Sequence, residues 1–270
     1  MNIPKAKPFI RWAGSKKKLI PKLRNYWKDE YVRYIEPFMG SACLFFDIKP
    51  QEAVLNDINS ELVETYLAIK AMPNEVHQAL HDLPQGKEEF YEIRALEIKE
   101  MSSIDIAARF IYLNRFCFNG LYRTNLKGTF NVPFSAYKTG ALPSLENLKN
   151  CSHMLEKVEI YNKDFQSVLL DNTIKGDFVY LDPPYAVRNK KIFTQYGPDT
   201  FGVNDLQRLK DSLKVLDQRG IHFVLSYAKC DEALDFFSEW DTSTVQIQRN
   251  IAGFAKNRRK EEELLMTNIC

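Results

Sequence analysis

The stretch GDFVYLDPPYAVRNKK, residues 176–191, decides the fold. Its apolar run Phe178–Leu181 reads as a short buried strand that stops at Asp182-Pro183-Pro184-Tyr185. One proline is enough to end a strand, because it cannot donate to the ladder. A carboxylate, a second proline and an aromatic ring ask for another reason. Outward from this stretch, YVRYIEPF (31–38) and EAVLND (52–57) read as earlier strands, and IHFVLSY (221–227) as a later one. TVQIQ (244–248) and ELLMTNI (263–269) suggest a terminal hairpin. NDLQRLKDSLKVLDQRG (204–220) sets Leu206, Leu209, Leu213 and Leu216 on one helical face and stops at Gly220. Strands alternating with helices predict a largely parallel sheet covered on both faces.

The middle of the chain breaks this pattern. SELVETYLAIKAM, KEEFYEIRALEIKEM and IDIAARFIYLNRF are helical, and FNGLYRTNLKGTFNVPF (118–134) places Lys127-Gly128 between two β-like runs. The expectation is an α/β domain, 1–57 and 161–270, carrying an inserted, mainly helical domain with a β-hairpin over 58–160.

With 270 residues, 45% of them hydrophobic and 13% aromatic, the chain can bury a sizeable core. Net charge is only +2, so a nucleic-acid site must come from local clusters. Three exist. Lys5, Lys7, Arg11, Lys16, Lys17, Lys18, Lys22 and Arg24 fall within the first 24 residues, which hold no acid. Arg188, Lys190 and Lys191 trail DPPY, and Arg249, Lys256, Arg258, Arg259 and Lys260 form the third. Such runs are usually solvated faces, but these flank one place and favour phosphate contact. Cys43, Cys117, Cys151, Cys230 and Cys270 are odd in number and widely spaced, which speaks against a disulfide framework or a zinc site. His77 and His81 read as a solvated helix face rather than metal ligands. No leader and no apolar run near ~20 residues is visible, so the expectation is a soluble cytoplasmic protein, not a membrane one.

Acids recur at strand ends. EPFMGSAC (36–43) follows a strand with one well-placed glycine, Gly40, and is not a dinucleotide fingerprint. Asp57 ends VLND, where it could accept from a ribose diol, and Asp164 stands beside Phe165 in NKDF (162–165). FIRWAGSKKKL (9–19) adds an aromatic platform, Trp12, and a cation, Lys16. Taken singly, Asp57 reads equally as a helix cap, and Trp12 as core. Together they suit an adenosine with a charged amino-acid tail. DPPY then suits methyl transfer to an aromatic amine. Ionised Asp182 can accept one amine N–H and the Pro183 carbonyl the other, turning the nitrogen lone pair towards a methyl donor. Tyr185 can stack on the base, and Pro184 stiffens the turn. No strong base is needed first, because the proton can leave once the nitrogen is cationic.

These motifs, with NDINSELV (56–63) and LNRFCFNGLYRTNLKGTFNVPF (113–134), occur in the order of the D12 class of DNA adenine-N6 methyltransferases, Dam-type enzymes among them, which the chain resembles over nearly its whole length. The resemblance implies a Rossmann-like S-adenosylmethionine-dependent methyltransferase sheet of seven strands, the last antiparallel. It implies S-adenosylmethionine held by Trp12, Ala13, Gly14, Lys16, Glu36, Pro37, Phe38, Gly40, Ser41, Asp57, Asp164, Phe165 and Asp182, with Asp182, Pro183, Pro184 and Tyr185 catalytic and no metal. It implies double-stranded DNA as partner of a monomer, met by Arg11, Phe118, Asn119, Leu121, Arg123, Asn125, Pro133, Tyr137, Arg188 and Lys190. Phe118-Asn119 would fill the gap left by a flipped adenine, Leu121 and Arg123 would read base edges, and Pro133 would meet a thymine methyl. A GAT-containing site such as GATC is the expected target. AGSK and Ser41-Ala42 stand where relatives often carry further glycines, a departure bearing on cofactor affinity. Two other readings stay open: methylation of another planar amine, such as cytosine N4, an RNA base or a protein glutamine, and a non-catalytic DNA-binding regulator. Asp182 and the hairpin speak against the first, and the intact DPPY against the second.

Overall fold

The computed structural model describes residues 5–125, 128–135, 141–185, 201–248 and 260–269. The strands are β1 (Tyr34–Glu36), β2 (Ala53–Asn56), β3 (Val158–Tyr161), β4 (Phe178–Leu181), β5 (His222–Ala228), β6 (Asp241–Gln248) and β7 (Lys260–Thr267). They form one sheet in the order β3-β2-β1-β4-β5-β7-β6. β1 to β5 pair in parallel, while β7 runs antiparallel to β5 and to β6. This is the α/β, Rossmann-like methyltransferase sheet that the resemblance implies. The strand order reverses between β1 and β4, so the loops after these two strands border a crevice at the carboxyl edge. EPFMG and DPPY are those two loops.

The helices are α1 (Ile20–Leu23), α2 (Cys43–Ile48), α3 (Ser60–Ala71), α4 (Pro73–Asp82), α5 (Lys87–Ala95), α6 (Ser103–Phe116), α7 (Leu145–Leu155), α8 (Phe165–Asp171), α9 (Val203–Gln218) and α10 (Asp231–Phe236). Local chemistry starts several of them. The side chains of Asn59, Ser102, Ser144 and Asp164 accept from the backbone N–H groups of Leu62, Asp105, Asn147 and Gln166. The cap of α3 is thus Asn59 and not Asp57, which frees Asp57 from the plainer of its two readings.

Two cores lie on opposite faces of the sheet. Alternation along the strands divides them: Tyr34, Tyr180 and Leu265 face one core, Ile35, Val179 and Met266 the other. The predicted leucine face of α9 is buried on the second core. The first core continues into α3 to α7, the helical stretch between β2 and β3. Its hairpin is shorter than the sequence suggests, with two isolated antiparallel bridges, Cys117↔Phe134 and Thr124↔Phe130. A tight turn at Phe118–Gly120 and the missing N–H of Pro133 interrupt the ladder between them. The His77 and His81 rings meet on α4 at 4.2 Å between centroids, tilted by 35°. Among the described residues, no helix is long and apolar enough to cross a membrane.

Candidate active site

Asp182 leaves β4 on the face shared with Tyr180 and is met by a buried lysine. The Lys16 ammonium lies 2.8 Å from Asp182 Oδ1 and 3.4 Å from Glu263 Oε2. It donates to Tyr185 Oη at 2.9 Å and to the Gly14 carbonyl at 3.3 Å. Ser226 Oγ donates to Asp182 Oδ1 at 3.2 Å, and the Tyr185 hydroxyl to Glu263 Oε1 at 3.4 Å. Burial alone would push the Lys16 ammonium towards neutrality, but Asp182, Tyr185 and Glu263 outweigh it and hold it above the usual lysine value. Burial likewise raises the Asp182 carboxyl, against the pull of Lys16. Pro183 is buried and Pro184 exposed, and the Tyr185 ring meets Tyr227 edge-on at 5.1 Å.

A second group sits across the crevice. Gly40 takes a left-handed φ of +44°, and a Cβ there would come within 2.5 Å of the Trp12 indole. Its N–H donates to Asp57 Oδ2 at 3.1 Å, while Asn59 N–H donates to Oδ1 at 3.0 Å. Burial pushes Asp57 up to about 6, against those two bonds. Glu36 is wholly buried, accepts from Tyr34 Oη at 2.9 Å, and is pushed well above the carboxylate range by its burial. Asn56 ties the loops together, donating to the carbonyls of Pro37 and Lys163 at 3.0 Å each. Phe38 and Phe165 pack at 5.3 Å, both against Phe201. Asp164 accepts from Arg208 at 2.6 Å as well as capping α8.

The predicted cofactor residues thus fall into two groups at the carboxyl edge of the sheet, one around Lys16 and Asp182, the other around Gly40 and Asp57. Trp12 stacks on the protein's own rings, on Tyr122 at 5.6 Å and on Phe110 at 6.4 Å, and remains half-buried. Asp164 is half occupied by Arg208. Ala13, Gly14 and Ser15 are exposed, while Ser41 is buried.

The hairpin stands beside the N-terminal segment because Asn114 on α6 clamps Arg11, accepting from its N–H at 2.8 Å and donating to its carbonyl at 2.7 Å. Arg11 crosses Gly120, where a Cβ would meet its side chain at 2.6 Å. Phe118 is exposed at the turn, with Asn119 at φ +58°. Leu121 is half-buried and Pro133 exposed. Arg123 donates to Asn131 at 2.7 Å, and Asn125 bonds Thr129 with both its N–H and its side chain. A cavity of about 820 Å³ runs along the N-terminal segment, with Lys7, Arg11, Lys17, Lys18 and Arg115 in its walls and Lys16 and Glu263 beside them. Tyr137, Arg188, Lys190 and the third basic cluster up to Arg259 lie outside the described residues.

Sequence reasoning missed Glu263, Ser226 and Arg208. Only Glu263 left a trace, as the last of three glutamates entering an apolar strand, where charged strand ends are ordinary.

A family model described as D12 class N6 adenine-specific DNA methyltransferase matches residues 12–251. The chain is 34% identical over 271 residues to the Type II methyltransferase M1.LlaDCHI of Lactococcus lactis subsp. cremoris, covering 97% of this chain and 95% of that protein. It is 34% identical over 259 residues to the Type II methyltransferase M.MjaIII of Methanocaldococcus jannaschii, covering 86% and 87%. To the DNA adenine methylase of Escherichia coli (strain K12) it is 30% identical over 273 residues, covering 97% and 95%. The chain belongs to the D12 class of N6 adenine-specific DNA methyltransferases.

Proposed function

We propose that this protein methylates N6 of an adenine flipped out of double-stranded DNA, within a GAT-containing site such as GATC, using S-adenosylmethionine. The observation that carries this reading is the carboxylate Asp182 held by Lys16 and Ser226 at the switch point of the sheet, opposite the Gly40–Asp57 cradle. The cradle fits the cofactor: Gly40 lets the Trp12 indole close against the loop and holds Asp57 by its N–H, and Asp57 offers an acceptor for a ribose diol. Phe38 and Phe165 form an apolar wall for the adenine ring, with Asp164 at its edge. When bound, the cofactor supplies a methyl group on a sulfonium. The chain's own residues do the rest. Asp182 and the Pro183 carbonyl accept the two amine N–H bonds, which frees the nitrogen lone pair. Tyr185 stacks on the base, and the two prolines hold the array fixed.

The division of labour follows the topology. Residues 1–57 and 161–270 form the catalytic unit, and 58–160 the target-recognition unit. Exposed Phe118 would fill the gap of a flipped base, while Leu121, Arg123 and Pro133 would read the site. Lys7, Arg11, Lys17, Lys18 and Arg115 supply cations for the backbone. The enzyme acts as a monomer. The test is transfer of labelled methyl groups to unmethylated duplexes, followed by base analysis. N6-methyladenine in GATC duplexes is expected. N4-methylcytosine, or tight duplex binding without any transfer, would reject the reading.

A further inference from the structure

Glu263 is buried in a strand that otherwise feeds the core. Only 1% of it is exposed, and its neighbours Leu264, Leu265 and Met266 are fully packed. Alternation along β7 turns it to the same face as Leu265, and it pairs with Ala228 at the carboxyl end of β5. A carboxylate taken out of water at such a place is costly unless a charge meets it. The charge is Lys16, 3.4 Å away and shared with Asp182 at 2.8 Å. One ammonium thus stands between two carboxylates, and Tyr185 Oη bridges Lys16 and Glu263.

This arrangement has a consequence for methyl transfer, on the reading proposed above. Asp182 must accept an N–H from an amine that turns cationic as the methyl arrives. Lys16 alone would cancel the charge of Asp182 and leave the pair neutral. With Glu263 the trio carries a net −1, which favours a cation at the amine. Ser226 and Lys16 both sit on Oδ1, so the amine must use the other oxygen.

We propose that Glu263 is a positioning residue of this site: it anchors and neutralises Lys16, so that Asp182 is oriented and its negative charge is not cancelled by Lys16 when it meets the target amine.

Glu263→Gln keeps the shape and removes the charge. Expected is a kcat on unmethylated GATC duplex lower by roughly ten- to hundredfold, with KM for DNA little changed. The acid limb of the kcat profile should also move to lower pH, because the Glu263 charge opposes ionisation of Asp182. Glu36 from β1, Tyr180 from β4 and Cys43 from α2 also bear on Asp182, and all are the same in both proteins. A mere packing defect would lower the rate and leave the limb in place. Wild-type kcat in Glu263→Gln, or a reduced kcat with an unmoved limb, would overturn the proposal. If circular dichroism shows that Glu263→Gln does not fold, Glu263→Asp withdraws the charge by one methylene. A reduced kcat with the limb moved part of the way to lower pH is then expected, and an unreduced kcat or an unmoved limb would overturn the proposal. Should the wild-type protein itself transfer no methyl to duplex adenine, the parent reading fails instead.

Discussion

Gly40→Ala is a sharp test of the cradle, because its cost can be worked from two independent features. The backbone at Gly40 has φ +44°, a left-handed conformation that costs a residue with a Cβ about 1–2 kcal/mol. The added carbon would also lie 2.5 Å from Trp12 Cδ1 and 2.8 Å from Nε1, so the indole must move. Trp12 stacks on Tyr122 and Phe110, and such overpacking costs roughly 1–3 kcal/mol. Together the loss is about 2–5 kcal/mol, or a fall in Tm of roughly 5–15 °C for a chain of this size. Thermal and denaturant melts followed by circular dichroism measure it. The two parts separate in the background Trp12→Ala. There the clash is gone, and Gly40→Ala should cost only the backbone part, about 1–2 kcal/mol. The substitution also disturbs the N–H that donates to Asp57 at 3.1 Å, so cofactor binding should weaken by roughly ten- to hundredfold. Wild-type stability in Gly40→Ala, or the same cost with and without Trp12, would refute the reasoning.

The other expectations can be checked separately. Asp182→Ala should abolish methyl transfer while gel-shift affinity for duplex DNA stays near wild type; loss of both in a folded variant would remove Asp182 from the catalytic role. Arg123→Ala should relax the choice of one guanine by about 1–3 kcal/mol, read from methylation rates on a panel of single-base site variants. Arg109→Ala strands the Glu61 carboxylate, now 3.1 Å from the guanidinium, and should cost about 3–5 kcal/mol in a chemical melt. Asp57 is pushed up to about 6 in the free protein, and a diol favours its ionised form, so cofactor affinity should fall as pH drops below about 6, by at most about tenfold per unit. Titration calorimetry would show that slope in the wild type and its loss in Asp57→Asn.

What was legible in the sequence follows from how local each signal is. Strand–helix alternation and the α9 leucine face are periodic, so they survive without a structure. DPPY and the acids of VLND and NKDF are legible because a parallel sheet always delivers strand ends to one edge. The hairpin was read correctly in place but not in extent, since its interruption at Gly120 depends on Arg11 lying across it. Trp12 stays between platform and core in the sequence because nothing in FIRWAGSK reveals that Tyr122, 110 positions later, would stack on it. Glu263, Ser226 and Arg208 were illegible for the same reason. Their meaning lies in pairings across strands and helices, with Asp182, Lys16 and Asp164, that no spacing along the chain encodes.

The charges also bear on how DNA meets this site. Asp57, Asp164 and Asp182 stand at the ends of three strands of one edge and Glu263 adds a fourth acid, burial disfavouring the charge of Glu36 between them, against the nearby cations Lys16 and Arg208. Such an edge repels a phosphate backbone, though salt screens the repulsion beyond about 8 Å. The cations that suit phosphates line the N-terminal segment and the foot of the hairpin instead. A duplex resting on those cations keeps its backbone off the acidic edge. On the function proposed above, this charge pattern suits an extruded adenine: the base alone, being uncharged, can approach the acids that its phosphates avoid.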